Sequence, residues 1–96
     1  MTDMTDRIVL VRTYSAGVHC GRLLKRNGKE VELADATRIW RWRGANTLNE
    51  LSQRGADAQS TRISERVPML ILTEAIEIIE CNVGAAANLR TPRWGV

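Results

Sequence analysis

The dipeptide Asn27-Gly28 constrains the fold of this chain more than any other feature of its sequence. Asn-Gly is a frequent central pair of the type I′ turn, in which both residues take positive φ and two antiparallel strands are joined. Residues 18–26 before it and 29–33 after it have strand composition, and in the second run apolar and acidic residues alternate. The sequence therefore predicts a β-hairpin with a polar tip.

Four further segments have the composition of strands, with β-branched and apolar residues in short runs. They are residues 7–13, 37–43, 62–67 and 69–80. Asp35 is expected to form a turn before the second of them, and Pro68 to close the third as an edge strand. The last segment also fits a helix with one apolar stripe, but its dense isoleucine and leucine favour one strand, or two strands bent near Thr73.

Two short helices are predicted from capping signals. Thr47 opens a Thr-Leu-Asn-Glu sequence that matches a capping box, so a helix is expected over residues 48–53, with Gly55 as its stop. Asn82 can cap a second helix that ends at Leu89. The predicted fold class is therefore α+β: about five to six mostly antiparallel strands in a curved sheet or partial barrel, with one or two short helices.

The length of the chain and the distribution of its apolar and charged residues predict one small cytoplasmic domain. Residues 1–96 suffice for one modest core, with residues 1–6 expected to be frayed and residues 91–96 to form a C-terminal tail. No apolar run approaches the roughly 20 residues that cross a bilayer, and the acidic N-terminus is unlike a targeting peptide. We therefore expect a cytoplasmic protein without membrane contact, in the host cell if a phage encodes it.

The charged residues are biased towards arginine. The net charge is +3, and the chain has twelve Arg but two Lys. Arginine offers a planar fork that suits phosphate and aromatic stacking. A GC-rich coding sequence would give the same bias, so composition alone leaves both explanations open.

A cationic and aromatic segment follows the predicted turn at Asp35. If residues 38–43 are a regular strand, alternation divides their side chains between two faces. One face would carry Arg38, Trp40 and Trp42, and the other Ile39, Arg41 and Arg43. The tryptophans could stack on a ligand or fill the core of a chain that has no phenylalanine.

A second polar and aromatic group surrounds the turn predicted at Gly17. The ligand-binding residues expected from the two groups and the loop before the first helix are Arg12, Tyr14, Ser15, His19, Arg38, Trp40, Trp42, Asn46 and Thr47, with Arg41 and Arg43 as an alternative basic surface. The favoured arrangement is a pocket between Arg38, a tryptophan edge and residues 44–47.

Catalysis is not expected from this sequence. It has one histidine and no P-loop, nucleophile-elbow or zinc-protease motif. His19 and Cys20 are adjacent on a predicted strand, so they point to opposite faces and cannot act as a base and nucleophile. Cys20 and Cys81 are expected to be reduced core residues, and neither a metal nor a cofactor is predicted.

Three motifs follow one another along the chain: Arg12-Thr-Tyr-Ser-Ala-Gly-Val-His19 with Gly21, Arg38-Ile-Trp-Arg-Trp42 with Gly44-Ala45 and Thr47-Leu48, and Ile71-Leu-Thr-Glu-Ala-Ile-Glu-Ile-Ile79 with Cys81. Together they resemble a family of small phage and prophage proteins whose domain has no known function. The resemblance covers residues 7–94 and implies a compact, β-rich viral protein. Small phage proteins of this kind are often oligomers, and some counter bacterial immunity.

Three functions remain open. The preferred one is a phage-encoded counter-defence sponge, a non-enzymatic oligomer that sequesters a small (cyclic) nucleotide immune signal. The alternative is an inhibitor that binds a defence nuclease or nucleic acid through the basic and aromatic strand, nucleic acid being the less favoured partner. The third is a structural or accessory virion protein. A homo-oligomer is expected in each case, because strands with apolar residues on both faces need more cover than one small chain provides.

Overall fold

The structure, a computed structural model, describes residues 7–42, 47–57 and 61–92. The segment expected to be frayed, residues 1–6, and residues 93–96 of the predicted tail lie outside these ranges. The elements are β1 Ile8–Thr13, β2 Val18–Asn27, β3 Glu30–Arg41, α1 Leu48–Arg54, β4 Arg62–Ile63, β5 Val67–Leu72, β6 Ala75–Glu80 and α2 Val83–Leu89. Six strands and two short helices in the described ranges confirm the predicted α+β class.

The strands form one antiparallel sheet that curves strongly. Its order is β4-β3-β2-β1-β6, and β5 pairs with another part of β3. β5 pairs with β3 and β6 pairs with β1, on opposite sides of β2, although only residues 73–74 join β5 to β6. The sheet must therefore bend until β5 and β6 meet, and the Ala75 amide at the start of β6 donates to the Lys29 carbonyl between β2 and β3 at 3.0 Å. This agrees with the predicted curved sheet.

The predicted hairpin is present, but its turn is shifted by one residue. Asn27 pairs with Glu30, so Gly28 and Lys29 form the two-residue loop. Gly28 has a φ of 62°, and Asn27 is not among the described residues with positive φ. Glycine at the first central position is the signature of a type II′ turn, so the predicted type I′ turn is wrong.

Asp35 does not separate two strands as predicted. It has a φ of 50° and lies inside β3, which continues on both sides of it. At this point the β2–β3 register shifts, and a Cβ placed on Gly21 would lie 3.1 Å from the Ala34 oxygen and from Ala36 Cα. Asp tolerates the left-handed conformation that the irregularity requires, so the chain bulges rather than turns.

The strands after α1 also differ from the prediction. β4 ends at Ile63, so the expected edge strand over residues 62–67 is shorter. Pro68 does not close that strand but lies within β5, opposite Asp35 in the register with β3. Residues 67–80 form two strands that are interrupted at Thr73, so the preference for strand over helix is confirmed.

Both helices begin at the predicted caps. The Thr47 side chain accepts a hydrogen bond from the Glu50 amide at 3.2 Å, and Gly55 ends α1 with a φ of 77°. The Asn82 side chain accepts from the Ala85 amide at 2.9 Å and opens α2. None of the described helices is long and apolar enough to span a membrane.

Two clusters of buried side chains lie on the two faces of the curved sheet. The first, the helix-side core, contains Leu10, Val18, Cys20, Ile39, Leu51, Ile63, Cys81, Ala86 and Leu89. The second, the concave core, contains Val9, Val11, Leu23, Val31, Leu33, Ala36 and Leu72. Neighbours on β1 alternate between the two, as strand geometry requires. The face of the sheet on which a side chain lies therefore decides whether it can contribute to a surface on the helix side or on the other side.

Candidate functional site

A bulge at the end of β3 separates the two tryptophans. Ile39 pairs with Ile63 and Arg41 with Arg62, so Trp40 is an extra residue in the ladder with β4. The extra residue breaks the alternation and returns Trp42 to the side of Ile39. Trp42 packs against the helix-side core, whereas Trp40 is 55% exposed. The prediction that Trp42 shares a face with Arg38 and Trp40 is therefore wrong, and so is the prediction that Arg41 shares the face of Ile39.

Arg12 lies on the same side of the sheet as Trp42. Its neighbours Val9 and Val11 occupy the concave core and Leu10 the helix-side core, so alternation directs Arg12 towards the helices. Arg12 is paired with Val18 on β2 and with Glu77 on β6. A cation and an anion therefore stand side by side on two neighbouring strands.

An open groove of about 430 Å³ lies between this part of the sheet and α1. Its floor and walls come from β1, β2, β6, the residue after β3, and the first turn of α1. The lining residues are Arg12, Val18, Trp42, Thr47, Leu48, Asn49 and Glu77. Ligand pockets commonly have volumes of about 300 to 1,000 Å³, so this groove suits a small molecule.

The charged side chains of the groove can still form hydrogen bonds and ion pairs with a ligand. Neither Arg12 nor Glu77 makes a side-chain hydrogen bond or ion pair with any residue in the described ranges. Thr47, by contrast, already uses its hydroxyl oxygen to cap α1. The groove thus offers an arginine fork, a carboxylate and the half-buried ring of Trp42 to a ligand.

His19 lies outside the groove and has a structural role. It is 1% exposed, and its Nε2 lies 2.8 Å from the Ala16 carbonyl oxygen. Because a carbonyl only accepts, Nε2 carries the proton and donates it. Burial lowers the pKa of His19 below its ordinary value of 6.5, the bond to Ala16 opposes this, and the charge of Arg38 adds to it. Neutral His19 therefore ties the turn of residues 14–17 to β2.

The remaining predicted residues are dispersed. Tyr14 is 77% exposed in the turn after β1, and Ser15 donates to a Glu74 carboxylate oxygen at 3.1 Å. Arg38 and Arg41 are exposed and do not line the groove. Asn46 and Arg43 lie outside the described residues. Of the predicted binding residues, Arg12, Trp42 and Thr47 are brought together.

The two cysteines belong to the helix-side core, as expected. Cys20 is fully buried and donates a hydrogen bond to Cys81, and this bond together with burial raises the pKa of the Cys20 thiol. A buried, protonated thiol is a poor nucleophile. Across the described ranges, no group of three or more His, Cys, Asp or Glu side chains is placed to hold a metal ion.

The family model described as "Domain of unknown function (DUF6948)" matches residues 6–89. The chain belongs to this family. Searches of curated proteins and of solved structures found no match. The expected relation to a family of unknown function is confirmed, whereas the phage origin remains a prediction.

Four groove residues of this DUF6948 domain were missed from the sequence: Val18, Leu48, Asn49 and Glu77. Glu77 is the most informative, because it could have been found only from the pairing of β1 with β6. That pairing requires residues 69–80 to be divided into two strands and the register of the second to be known. The spacing of Arg12 and Glu77 along the chain carries no such signal.

Proposed function

We propose that this protein binds a small phosphorylated nucleotide in the groove between Arg12 and Trp42 and does not convert it. The observation that carries the proposal is that one groove is lined both by an arginine without a side-chain partner in the described ranges and by the half-buried ring of Trp42. Phosphate and base are the two groups of a nucleotide that such side chains recognise.

Arg12 would hold the phosphate. Its planar guanidinium can donate two parallel hydrogen bonds to phosphate oxygens, which a lysine could not do. Glu77, on the neighbouring strand, would repel a phosphate placed against it, but its carboxylate can accept from ribose hydroxyls or from an amino group of the base. This polarity orients the ligand, with its phosphate at Arg12 and its sugar or base towards Glu77.

Trp42 would bind the base. One side of the ring packs on the helix-side core, so the ring is already held in place before a ligand arrives. A ring that is held in place loses little conformational entropy on binding. The volume of about 430 Å³ is near the lower end of the usual range for ligand sites, which favours a ligand of one nucleotide over a larger one.

The described side chains of the groove support binding without turnover. They include neither a cysteine nor a histidine, and the hydroxyl of Thr47 caps α1 rather than facing a base. Glu77 is the single acid among them, and no described nucleophile is hydrogen-bonded to it. Nucleophilic catalysis usually needs a nucleophile and a base within hydrogen-bonding distance of each other.

The biological setting of the proposal rests on the resemblance to phage proteins. A viral protein that binds a nucleotide without converting it would lower the free concentration of a signal in the host cytoplasm. The proposed role is therefore that of a counter-defence sponge for a nucleotide immune signal. The proposed homo-oligomer would add to this role by carrying several grooves in one particle.

Isothermal calorimetry tests the proposal directly. The purified protein is titrated with mononucleotides, cyclic mono- and dinucleotides and cyclic ADP-ribose isomers, and each ligand is recovered and analysed by mass spectrometry. We expect saturable binding of at least one phosphorylated ligand and its recovery unchanged. Folded protein that binds no member of the panel would refute the proposal, and recovery of a converted product would refute the non-enzymatic part of it.

Arg12→Gln is the decisive variant, since Arg12 is exposed and its loss leaves both cores intact. Hydrogen bonds to charged groups contribute about 1.5 to 3 kcal/mol, so affinity should fall by about tenfold to a hundredfold. Arg54→Gln removes the same charge from the far end of α1 and serves as the matched control. Equal affinities of the two variants would place the ligand elsewhere.

A further inference from the structure

A second aromatic and cationic surface lies outside the groove. Its centre is Trp40, which is 55% exposed and belongs to neither core cluster. Arg38 and Trp40 alternate with Ile39, so they point away from the helix-side core, and the bulge keeps Arg41 on their side of the strand. We call Arg38, Trp40 and Arg41 the strand-end surface.

The guanidinium groups of this surface are free to bind anions. Neither Arg38 nor Arg41 makes a side-chain hydrogen bond or ion pair within the described ranges. β3 contains no acidic residue after Asp35, and the side chain of Asp35 lies 3.9 Å from Arg90. The first acid after β4 is Glu65, which follows Ser64, whose hydroxyl accepts from the Arg38 amide at 2.9 Å. The surface is therefore positively charged around a flat exposed ring.

A second exposed ring lies beside the same end of the sheet. Ile39 pairs with Val18, the first residue of β2, so the turn of residues 14–17 adjoins the strand-end surface. Tyr14 projects from this turn with 77% of its surface exposed. The turn is fixed from two sides, because the Tyr14 amide donates to the Glu74 carbonyl at 3.0 Å and His19 donates to Ala16.

We infer that the strand-end surface binds single-stranded nucleic acid. Unpaired bases stack on exposed aromatic rings, while arginines beside the rings contact the phosphates that follow one another along the strand. Double-stranded nucleic acid does not fit, since its bases are stacked on each other and offer no free face to Trp40. Two arginines without a side-chain partner in the described ranges match the regularly spaced phosphates of a single strand, so we favour nucleic acid over a protein partner.

This surface is independent of the proposed nucleotide groove. Trp42 and Arg12 line the groove, and no residue of the strand-end surface does. The two binding activities can therefore be lost separately. Failure of nucleotide binding would leave the present inference intact, and failure of oligonucleotide binding would leave the groove intact.

Fluorescence anisotropy with labelled oligothymidine, oligouridine and a duplex tests the inference. We expect both single strands to bind in low salt and the duplex to bind more weakly. Trp40→Ala should weaken binding by about tenfold to a hundredfold, because stacking of one base is lost. Arg38→Gln should reduce the slope of log affinity against log salt by about 0.7, the value for one phosphate contact to a single strand.

Trp40→Phe and Arg54→Gln are the controls. Phenylalanine keeps a stacking face, so Trp40→Phe should retain most of the affinity, and Arg54→Gln removes a distant charge of α1 and should leave the salt slope unchanged. The inference is overturned if the folded wild type binds neither single strand. It is also overturned if Trp40→Ala binds both strands as the wild type does, or if the duplex binds more tightly than they do.

Discussion

Trp40 and Trp42 are two residues apart, yet they belong to different regions of the molecule. In an ideal strand they would lie on one face, but the bulge beside β4 leaves Trp40 in solvent and packs Trp42 on the helix-side core. The groove that contains Trp42 is a recess lined by both a cationic and an anionic side chain, whereas the strand-end surface is exposed and cationic. One extra residue thus converts a single aromatic stripe into two surfaces of different chemistry.

The stability of the two tryptophan variants provides the largest expected contrast. Trp42→Ala should lower the free energy of unfolding by about 2 kcal/mol or more, because it removes a large side chain that packs on a buried cluster. Trp40→Ala should lower it by about 0.5 kcal/mol or less, as for other exposed positions. Urea denaturation measures both, and similar losses would mean that the bulge does not divide the rings.

The next contrast is that a variant of each surface should lose the affinity for one ligand and keep the affinity for the other. Arg12→Gln should lose nucleotide affinity by about tenfold or more and keep oligonucleotide affinity, and Trp40→Ala should do the reverse. Calorimetry and anisotropy on the same protein preparations give the four affinities. If either variant loses both ligands while its circular dichroism spectrum is unchanged, the two surfaces are one site.

A smaller effect is expected from Glu77. The variant Glu77→Gln removes the negative charge beside Arg12 and keeps the size of the side chain. Nucleotide affinity should rise by about twofold to fivefold, as for partly solvated charge pairs, while oligonucleotide affinity stays constant. The glutamine amide oxygen can still accept from the sugar or base, so a loss of nucleotide affinity would show that the ligand needs the negative charge of the carboxylate.

The effect of pH should be the smallest and should arise from His19. Its pKa is lowered from 6.5 in the folded state, so the unfolded chain takes up the proton first as the pH falls. The contribution of this group to stability is therefore present above about pH 6.5 and is lost as the pH falls below that value. Denaturation at several pH values should show the decline in the wild type.

His19→Gln is the control for that decline. Glutamine can still donate to the Ala16 carbonyl but does not titrate, so its stability should change less over the same pH range. The chain has one histidine, so any difference between the two proteins in this pH range can be assigned to His19. An equal decline in both proteins would assign it to carboxyl groups.

Local signals allowed much of the fold to be predicted. The caps at Thr47 and Asn82, the glycine stop at Gly55 and the hairpin near Gly28 each depend on a few neighbouring residues, and all four are present. The exact turn type and the continuity of β3 through Asp35 depend on how β2 and β5 pair with it. Such pairing is not encoded in the neighbouring residues, so a turn was expected where the strand bulges.

The candidate site was harder to predict for the same reason. Arg12, Trp42 and Thr47 were among the expected binding residues, but the sequence grouped Trp42 with Trp40 and Arg38 because regular alternation was assumed. The extra residue in the β3–β4 ladder and the position of Glu77 beside Arg12 both require the register of distant strands. The residue types indicated which side chains could bind a ligand, but they did not indicate which of those side chains lie next to one another.

Fluorescence of single-tryptophan variants is the most direct test of the division into two surfaces. The chain has three tryptophans, so replacement of Trp40 and Trp94 by phenylalanine leaves Trp42 as the reporter, and replacement of Trp42 and Trp94 leaves Trp40. Titration with the nucleotide identified by calorimetry should quench Trp42 saturably and leave Trp40 unchanged, and oligothymidine should do the opposite. Quenching of both reporters by one ligand, or of neither by the bound nucleotide, would contradict the assignment of that nucleotide to the groove.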